Sequence, residues 1–334
     1  MVRLIYCSGL VLLISGWLGC ASTSELAKII EEKELPKDAP EEFRNDFSVQ
    51  EATEETEIDP ESKKTSEKDQ DRKDQKKADQ QKEKKPFVFP DRRKGKLKAF
   101  GIGEKAVYEL TYFGVAAGTF TMTVQPYKMI KKRKVYSLHG RAESSKIFSL
   151  FYRVNDSVES FFDFKGLFSH RFQMVLDESK QTRRTLELYD HEKKETFYWN
   201  RWNHYKKGYI EEKVVKPTRA FVQDSLSALY YLRMHQFPEK VGHQITFPVV
   251  SEGGTWEAII TLVRRETLRT RIGRVNTLVL QVDTKFKGVL KKTGNNYIWL
   301  TDDHRHLLVR LDAKVKIGTV RALIKDYERG ASPE

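Results

Sequence analysis

The chain has 334 residues, 39% of them hydrophobic, and carries 60 Lys and Arg against 47 Asp and Glu, a formal net charge of +13. Apolar residues are sparse in 21–96, so the core must come from 97–334, a length that one large domain fills. Both cysteines, Cys7 and Cys20, precede that domain, which excludes disulfides, thiolate zinc sites, iron–sulfur clusters and cysteine nucleophiles from it.

Residues 1–19 read as a signal peptide. Arg3 gives a positive start, 4–18 is an uncharged apolar run, and Gly19, Cys20, Ala21 and Ser22 are small residues at a cleavage point. The run is short for a membrane span, and no basic stop-transfer cluster follows it. Leu18-Gly19-Cys20 resembles a bacterial lipobox, although Trp17 stands where that pattern prefers Leu. The resemblance implies diacylation of Cys20 and anchoring in a membrane. Ala21 and Ser22 imply export to the outer membrane, on the periplasmic side of the envelope. The alternative is a soluble periplasmic protein with an incidental cysteine.

Residues 20–96 then read as a charged, disordered tether. The formal charge is about −10 over 21–61 and about +7 over 62–96, with too little apolar surface to offset the entropy of ordering. The folded part carries about +15. Such a surface attracts anionic lipid, anionic polysaccharide or nucleic acid, and the export signal removes nucleic acid as a partner.

From Glu104 the chain alternates apolar and polar residues. Tyr108, Leu110 and Tyr112 share one face of a first strand, and 119–125 resumes the alternation after a turn expected between Gly114 and Gly118. Further strands are expected at 134–142, 153–162, 167–176, 182–189 and 195–199, with a short helical turn at 144–150. The stretch 224–233 reads as a helix. Asp224 is a good N-cap, Leu226, Leu229, Tyr230 and Arg233 fall at i, i+3, i+4 and i+7, and Pro238 ends the pattern. Ala228 and Leu232 widen its apolar side, so a sheet must wrap it. Strands follow at 243–250, 255–264, 274–286, 295–300, 307–315 and 319–327. The fold class is therefore all-β, mainly antiparallel, as a curved spiral or half-barrel sheet wrapped on one central helix.

Gly103-Glu104, Tyr108, Ala117-Gly118, the run 151–156 with Glu159-Ser160, Asp224-Ser225 with 228–233, and Trp299-Leu300-Thr301-Asp302-Asp303 together resemble the domain of unknown function 3108 family of exported bacterial envelope proteins. The resemblance covers 100–328 and implies a spiral or half-barrel sheet around a helix, similar in style to periplasmic lipoprotein carriers. It carries no catalytic residue and no cofactor.

Four constellations remain. Asp302-Asp303-His304-Arg305-His306 brings carboxylates and imidazoles together, but Asp-Asp between strands makes a turn, and Arg305 repels a cation, so no metal site is assigned. Arg233, buried at the end of its helix, needs an acidic partner, with Asp156, Glu159 and Asp302 as the candidates. Ser225 lacks a glycine-flanked elbow, and capping accounts for it and Asp224. Trp199, Trp202, Tyr205, Lys206 and Lys207 form an aromatic and basic strip suited to a ligand or a half-wet surface, or else the inner face of a hairpin turning at 200–203. The reading is a non-catalytic envelope lipoprotein that binds an apolar or amphiphilic envelope component or a partner protein. The expected place for such a ligand is a cavity inside the curved sheet. The alternatives are a structural lipoprotein linking membrane and cell-wall polymer, and an envelope polymer hydrolase.

Overall fold

The computed structural model describes residues 35, 39–52, 87–93, 96–286, 289–291, 296–315 and 318–331. The signal peptide, Cys20 and most of the tether lie outside the described residues. In chain order the elements are α1 (Glu41–Asp46), β1 (Gln50–Glu51), β2 (Lys105–Tyr112), β3 (Val115–Ile130), β4 (Arg133–Ser144), α2 (Lys146–Ser149), β5 (Asn155–Asp163), β6 (Ser169–Glu178), β7 (Gln181–Asp190), β8 (Glu195–His204) and β9 (Gly208–Pro217). Then come α3 (Ser227–Arg233), β10 (Gln244–Ser251), β11 (Gly254–Thr270), β12 (Gly273–Phe286), β13 (Val289–Lys291), β14 (Tyr297–Thr301), β15 (Leu308–Lys314) and β16 (Thr319–Glu328).

Among the described residues the strands make one 16-stranded sheet in the order β10-β11-β12-β14-β15-β16-β2-β3-β4-β5-β6-β7-β8-β9, with β1 beside β3 and β13 beside β12. The expected all-β fold is what forms: a curved antiparallel sheet, not closed. Its edges, β10 and β9, share no ladder. They are tied instead by the β10–β11 turn, where Lys216 Nζ on β9 donates to the Glu252 carbonyl (3.5 Å), and β7 adds Glu187 Oε1, which accepts from Gly253 N–H (3.2 Å), and Arg183, which donates to Glu252 Oε1 (2.8 Å). Gly253 has φ +67°, and a Cβ there would lie 3.0 Å from the Tyr198 Cβ, so backbone freedom and space both require glycine.

The sheet wraps α3 as expected. Leu229, Tyr230 and Leu232 are buried in one cluster with Tyr108, Leu138, Phe162, Leu262, Leu280, Leu300 and Ile324 from the strands. Each such aliphatic side chain contributes about 1.5–3 kcal/mol by leaving water. Asp224 caps the turn that leads into the helix. Its Oδ1 accepts from Leu226 N and Ser227 N (both 2.8 Å), and its Oδ2 accepts from Ser160 Oγ on β5 (2.5 Å), fixing the helix start to the sheet.

Three local expectations are corrected. The first turn lies at Phe113–Gly114, with φ 49° and 77°, a two-residue hairpin of the type that matches strand twist. β8 runs through the expected turn at 200–203 to His204, and β9 follows it as an unforeseen edge strand. β9 is mostly exposed and charged, which hides the apolar alternation and protects an open edge.

The tether is the largest correction, because two pieces of 20–96 pack on the domain. Phe43 on α1 and Phe47 at its C-cap, one helical turn on, are buried against Phe161, Leu188 and Phe197, and β1 extends the contact along β3. Lys193 pairs with Glu42, Lys131 with Asp46 and Lys128 with Glu51. Further on, Phe87 stacks on Phe221 and Phe89 on Phe168. Average composition masked these two Phe pairs.

Candidate functional site

Side chains on β3 to β8 alternate between the α3 core and the opposite face. Leu138, Val158 and Phe172 join the core, while Phe161, Leu186 and Trp199 belong to the cluster beneath α1. A groove of about 350 Å³ lies on this second face, in the lower part of the usual range for small-molecule sites. It therefore sits outside the curl of the sheet, not in the interior that sequence suggested, where α3 and its aromatic neighbours pack.

Register arranges the groove in three cross-strand rows. Arg141, Ser157, Val175, Arg184 and Arg201 face one another in sequence across β4 to β8. The next row is His139, Glu159, Gln173, Leu186 and Trp199, and the third is Ser137, Phe161, Arg171, Leu188 and Phe197. α1 covers the third row, and Arg171 donates to the carbonyl of Phe47 there (3.3 Å). The guanidinium row, which includes Val175, thus stands at the end away from α1, with Leu186 and Trp199 of the second row between.

The polar groups are held in a network. His139 Nε2 lies 2.7 Å from Glu159 Oε1, Ser137 donates to the same oxygen (3.1 Å), and Gln173 donates to Glu159 Oε2 and accepts from Arg171 Nη2 (2.9 Å). Burial works against the Glu159 charge, but the hydrogen bonds from His139 and Ser137 and the charges of His139 and Arg171 outweigh it and hold the carboxyl below its usual range. Arg171 is buried. Desolvation pulls its pKa down to about 10, partly opposed by Glu159, and its Nε has no hydrogen-bond partner among the described residues. Arg201 stacks on the Trp199 ring at 3.9 Å. Four guanidinium groups and one carboxylate line the groove, so its field favours an anion beside an apolar body.

Ser137, His139 and Glu159 are the residue types of a hydrolytic relay, but their arrangement differs from one. His139 uses the same nitrogen, Nε2, toward both Ser137 Oγ (3.1 Å) and Glu159 Oε1, whereas a relay needs the two ring nitrogens to serve the two partners separately.

The aromatic strip is divided by strand alternation. Trp199 belongs to the groove and donates its indole N–H to Glu211 (2.6 Å). Trp202 lies on the other face and donates to Gln181 (2.6 Å), while Tyr205, Lys206 and Lys207 form the β8–β9 turn. Arg233 is buried as expected, but its partner is Glu104, at 2.6 Å and 2.9 Å, not Asp156, Glu159 or Asp302. Glu104 directly precedes β2, and Ala99 and Arg305 carbonyls satisfy the remaining donors. Asp302 pairs instead with Arg265 (2.9 Å), and Asp303 with Arg305. Asp156 has burial and then the neighbouring Glu178 carboxyl pushing its pKa well above the usual carboxylate range. Among the described residues no group of His, Cys, Asp and Glu could hold a metal ion, and no helix is long and apolar enough to cross a membrane.

Among curated proteins none matches the chain. A beta-barrel-like protein of domain of unknown function DUF1849 from Brucella abortus is similar over 70% of this chain and 100% of its own, at 9% identity and TM-score 0.43. A putative lipoprotein from Parabacteroides distasonis ATCC 8503 matches over 70% of this chain and 99% of its own, at 8% identity and TM-score 0.31. The DUF3108 family model, described as a protein of unknown function, matches residues 107–325, from β2 to β16 and including α3 and every strand of the groove, and the chain belongs to that family.

Proposed function

We propose that the protein is a non-catalytic envelope lipoprotein, anchored through Cys20 on the periplasmic side of the outer membrane, whose β domain binds an anionic amphiphile in the outer-face groove. The observation that carries this reading is the juxtaposition of the arginine row, Arg184, Arg201 and Arg141, the last also paired with Glu143 (3.1 Å), with the apolar surface of Val175, Leu186 and Trp199. The head group would lie on the guanidinium groups and the chain along Leu186 and Trp199, toward α1. Buried Arg171, with its free Nε, adds a cation at the inner end. The anchor rests on the sequence before the described residues.

Native mass spectrometry of the full chain, purified from bacterial envelopes and released from detergent, tests this. A discrete lipid-sized adduct on the parent that is lost from the Arg184→Glu/Arg201→Glu variant supports the reading. The bare mass for both proteins contradicts it. Separately, a Cys20→Ala chain is expected to release the protein from the membrane fraction, and continued membrane retention would remove the anchor from the account.

A further inference from the structure

The two ends of the sheet differ in what they show to solvent. In an antiparallel sheet alternate turns fall at the same end. The β2–β3 turn (113–114), the β4–β5 connection containing α2 (145–154), the β6–β7 turn (179–180) and the β8–β9 turn (205–207) therefore share one rim. Backbone hydrogen bonds make that rim continuous: Ser145 N to Ala117 O (2.8 Å), Ser179 N to Arg153 O (3.0 Å) and Tyr205 N to Lys180 O (3.0 Å).

Large apolar side chains stand outward along it. Leu150 is 81% exposed, Ile147 74%, Phe113 and Phe151 66%, and Val115 61%. Ile147, Leu150 and Phe151 have the i, i+3, i+4 spacing of one helical face. Their turn is ordered: the Ser145 hydroxyl accepts from Phe148 N, and the Ser149 hydroxyl donates to Ser145 O. Phe113 has φ 49°, a backbone region that bulky residues avoid, and holds its ring outward. Exposed apolar groups this concentrated mark an interaction surface.

The charges on the rim choose the partner. Lys146, Lys180, Lys206 and Lys207 lie on these same turns, with Lys180 and Lys206 beside the Tyr205 ring (5.3 and 5.5 Å) and Lys207 beside Trp202 (4.8 Å). Of the nearby carboxylates, Glu143 pairs with Arg141, Asp177 pairs with Arg153, and Glu178 is buried and accepts from Tyr152 and Gln181. Apolar tips, half-wet aromatics and lysines together match the chemistry of an anionic bilayer surface.

We propose that this rim seats the domain on an anionic lipid surface. The tips of Phe113, Val115, Ile147, Leu150 and Phe151 enter the headgroup layer, and the four lysines contact the anionic headgroups. This surface is separate from the ligand groove and from Cys20, so it stands whether or not either of those is functional.

Hydrogen exchange of the full chain, with and without phosphatidylglycerol-containing vesicles, tests the proposal. Exchange should slow several-fold at 112–117 and 145–152 and stay unchanged at the opposite end, in the β7–β8 turn at 192–194. The Ile147→Ser/Leu150→Ser/Phe151→Ser variant, altered only at exposed positions, should lose the slowing at 112–117 as well, and vesicles of phosphatidylcholine alone should give less protection. Unchanged rim exchange, equal slowing at 192–194, or equal protection by neutral vesicles would overturn it. So would slowing that follows protein concentration without vesicles, which would make a second copy the occupant.

Discussion

Arg233 and Glu104 form a buried, doubly hydrogen-bonded pair that joins the end of α3 to the strand entry at β2. Removing the carboxylate leaves a buried guanidinium uncompensated, so Glu104→Ala is expected to cost about 3–5 kcal/mol in urea unfolding. A loss under about 1 kcal/mol would mean that the Ala99 and Arg305 carbonyls suffice. The burial of Arg233 was legible in the helical spacing. Its partner was not, because Glu104 lies far away in sequence and outside any period that α3 imposes. Glu187 gives a second test. It is buried at the seam, and desolvation raises its pKa from 4.5 to about 7 against the hydrogen bonds from Tyr189 and Gly253. The native state therefore keeps this proton longer than the unfolded chain. The associated stability is intact below about pH 4.5 and is lost as pH rises through about 7, on the order of 3 kcal/mol at about 1.4 kcal/mol per unit. Glu187→Gln should flatten that decline in urea midpoints between pH 5 and 8, and an unchanged decline would assign it to another group.

α1 and β1 act as a clasp across the outer face. Phe47 is fully buried, and its carbonyl takes a hydrogen bond from Arg171, so the clasp and the inner end of the groove share a residue. Phe47→Ala should release 39–52 to limited proteolysis while the sheet's own unfolding midpoint shifts less, because the ladder from β2 to β9 does not depend on it. Resistance equal to the parent would mean that β1 and the ion pairs hold the segment alone. The Phe43 and Phe47 spacing of four residues was the available sign of this helix, and averaging charge over the whole segment concealed it. α3 announced itself because cap, apolar face and terminator agree over one short stretch. β9 did not, since an exposed, charged edge strand lacks the alternation that marks half-buried ones.

The whole molecule is an open sheet with a core wrapped on α3, a cationic groove on the opposite face, and an apolar rim at one end. The all-β class and the wrapped helix were legible because alternation recurs strand after strand. The groove was not, because β4 to β8 carry apolar residues on both faces, and sequence alone does not tell Leu138, Val158 and Phe172 from Phe161, Leu186 and Trp199. Only register shows that Arg141, Arg184 and Arg201 form a row. The most direct test of the account is calorimetric titration of the full chain with dodecyl phosphate below its aggregation concentration. The parent should bind saturably, and Arg184→Glu/Arg201→Glu at least about tenfold more weakly, since reversing two charges loses well over 1.4 kcal/mol of attraction. Inorganic phosphate and dodecanol should each bind more weakly than the joined molecule. The absence of saturable binding, or equal affinity in the charge-reversed variant, would contradict the assignment of the groove.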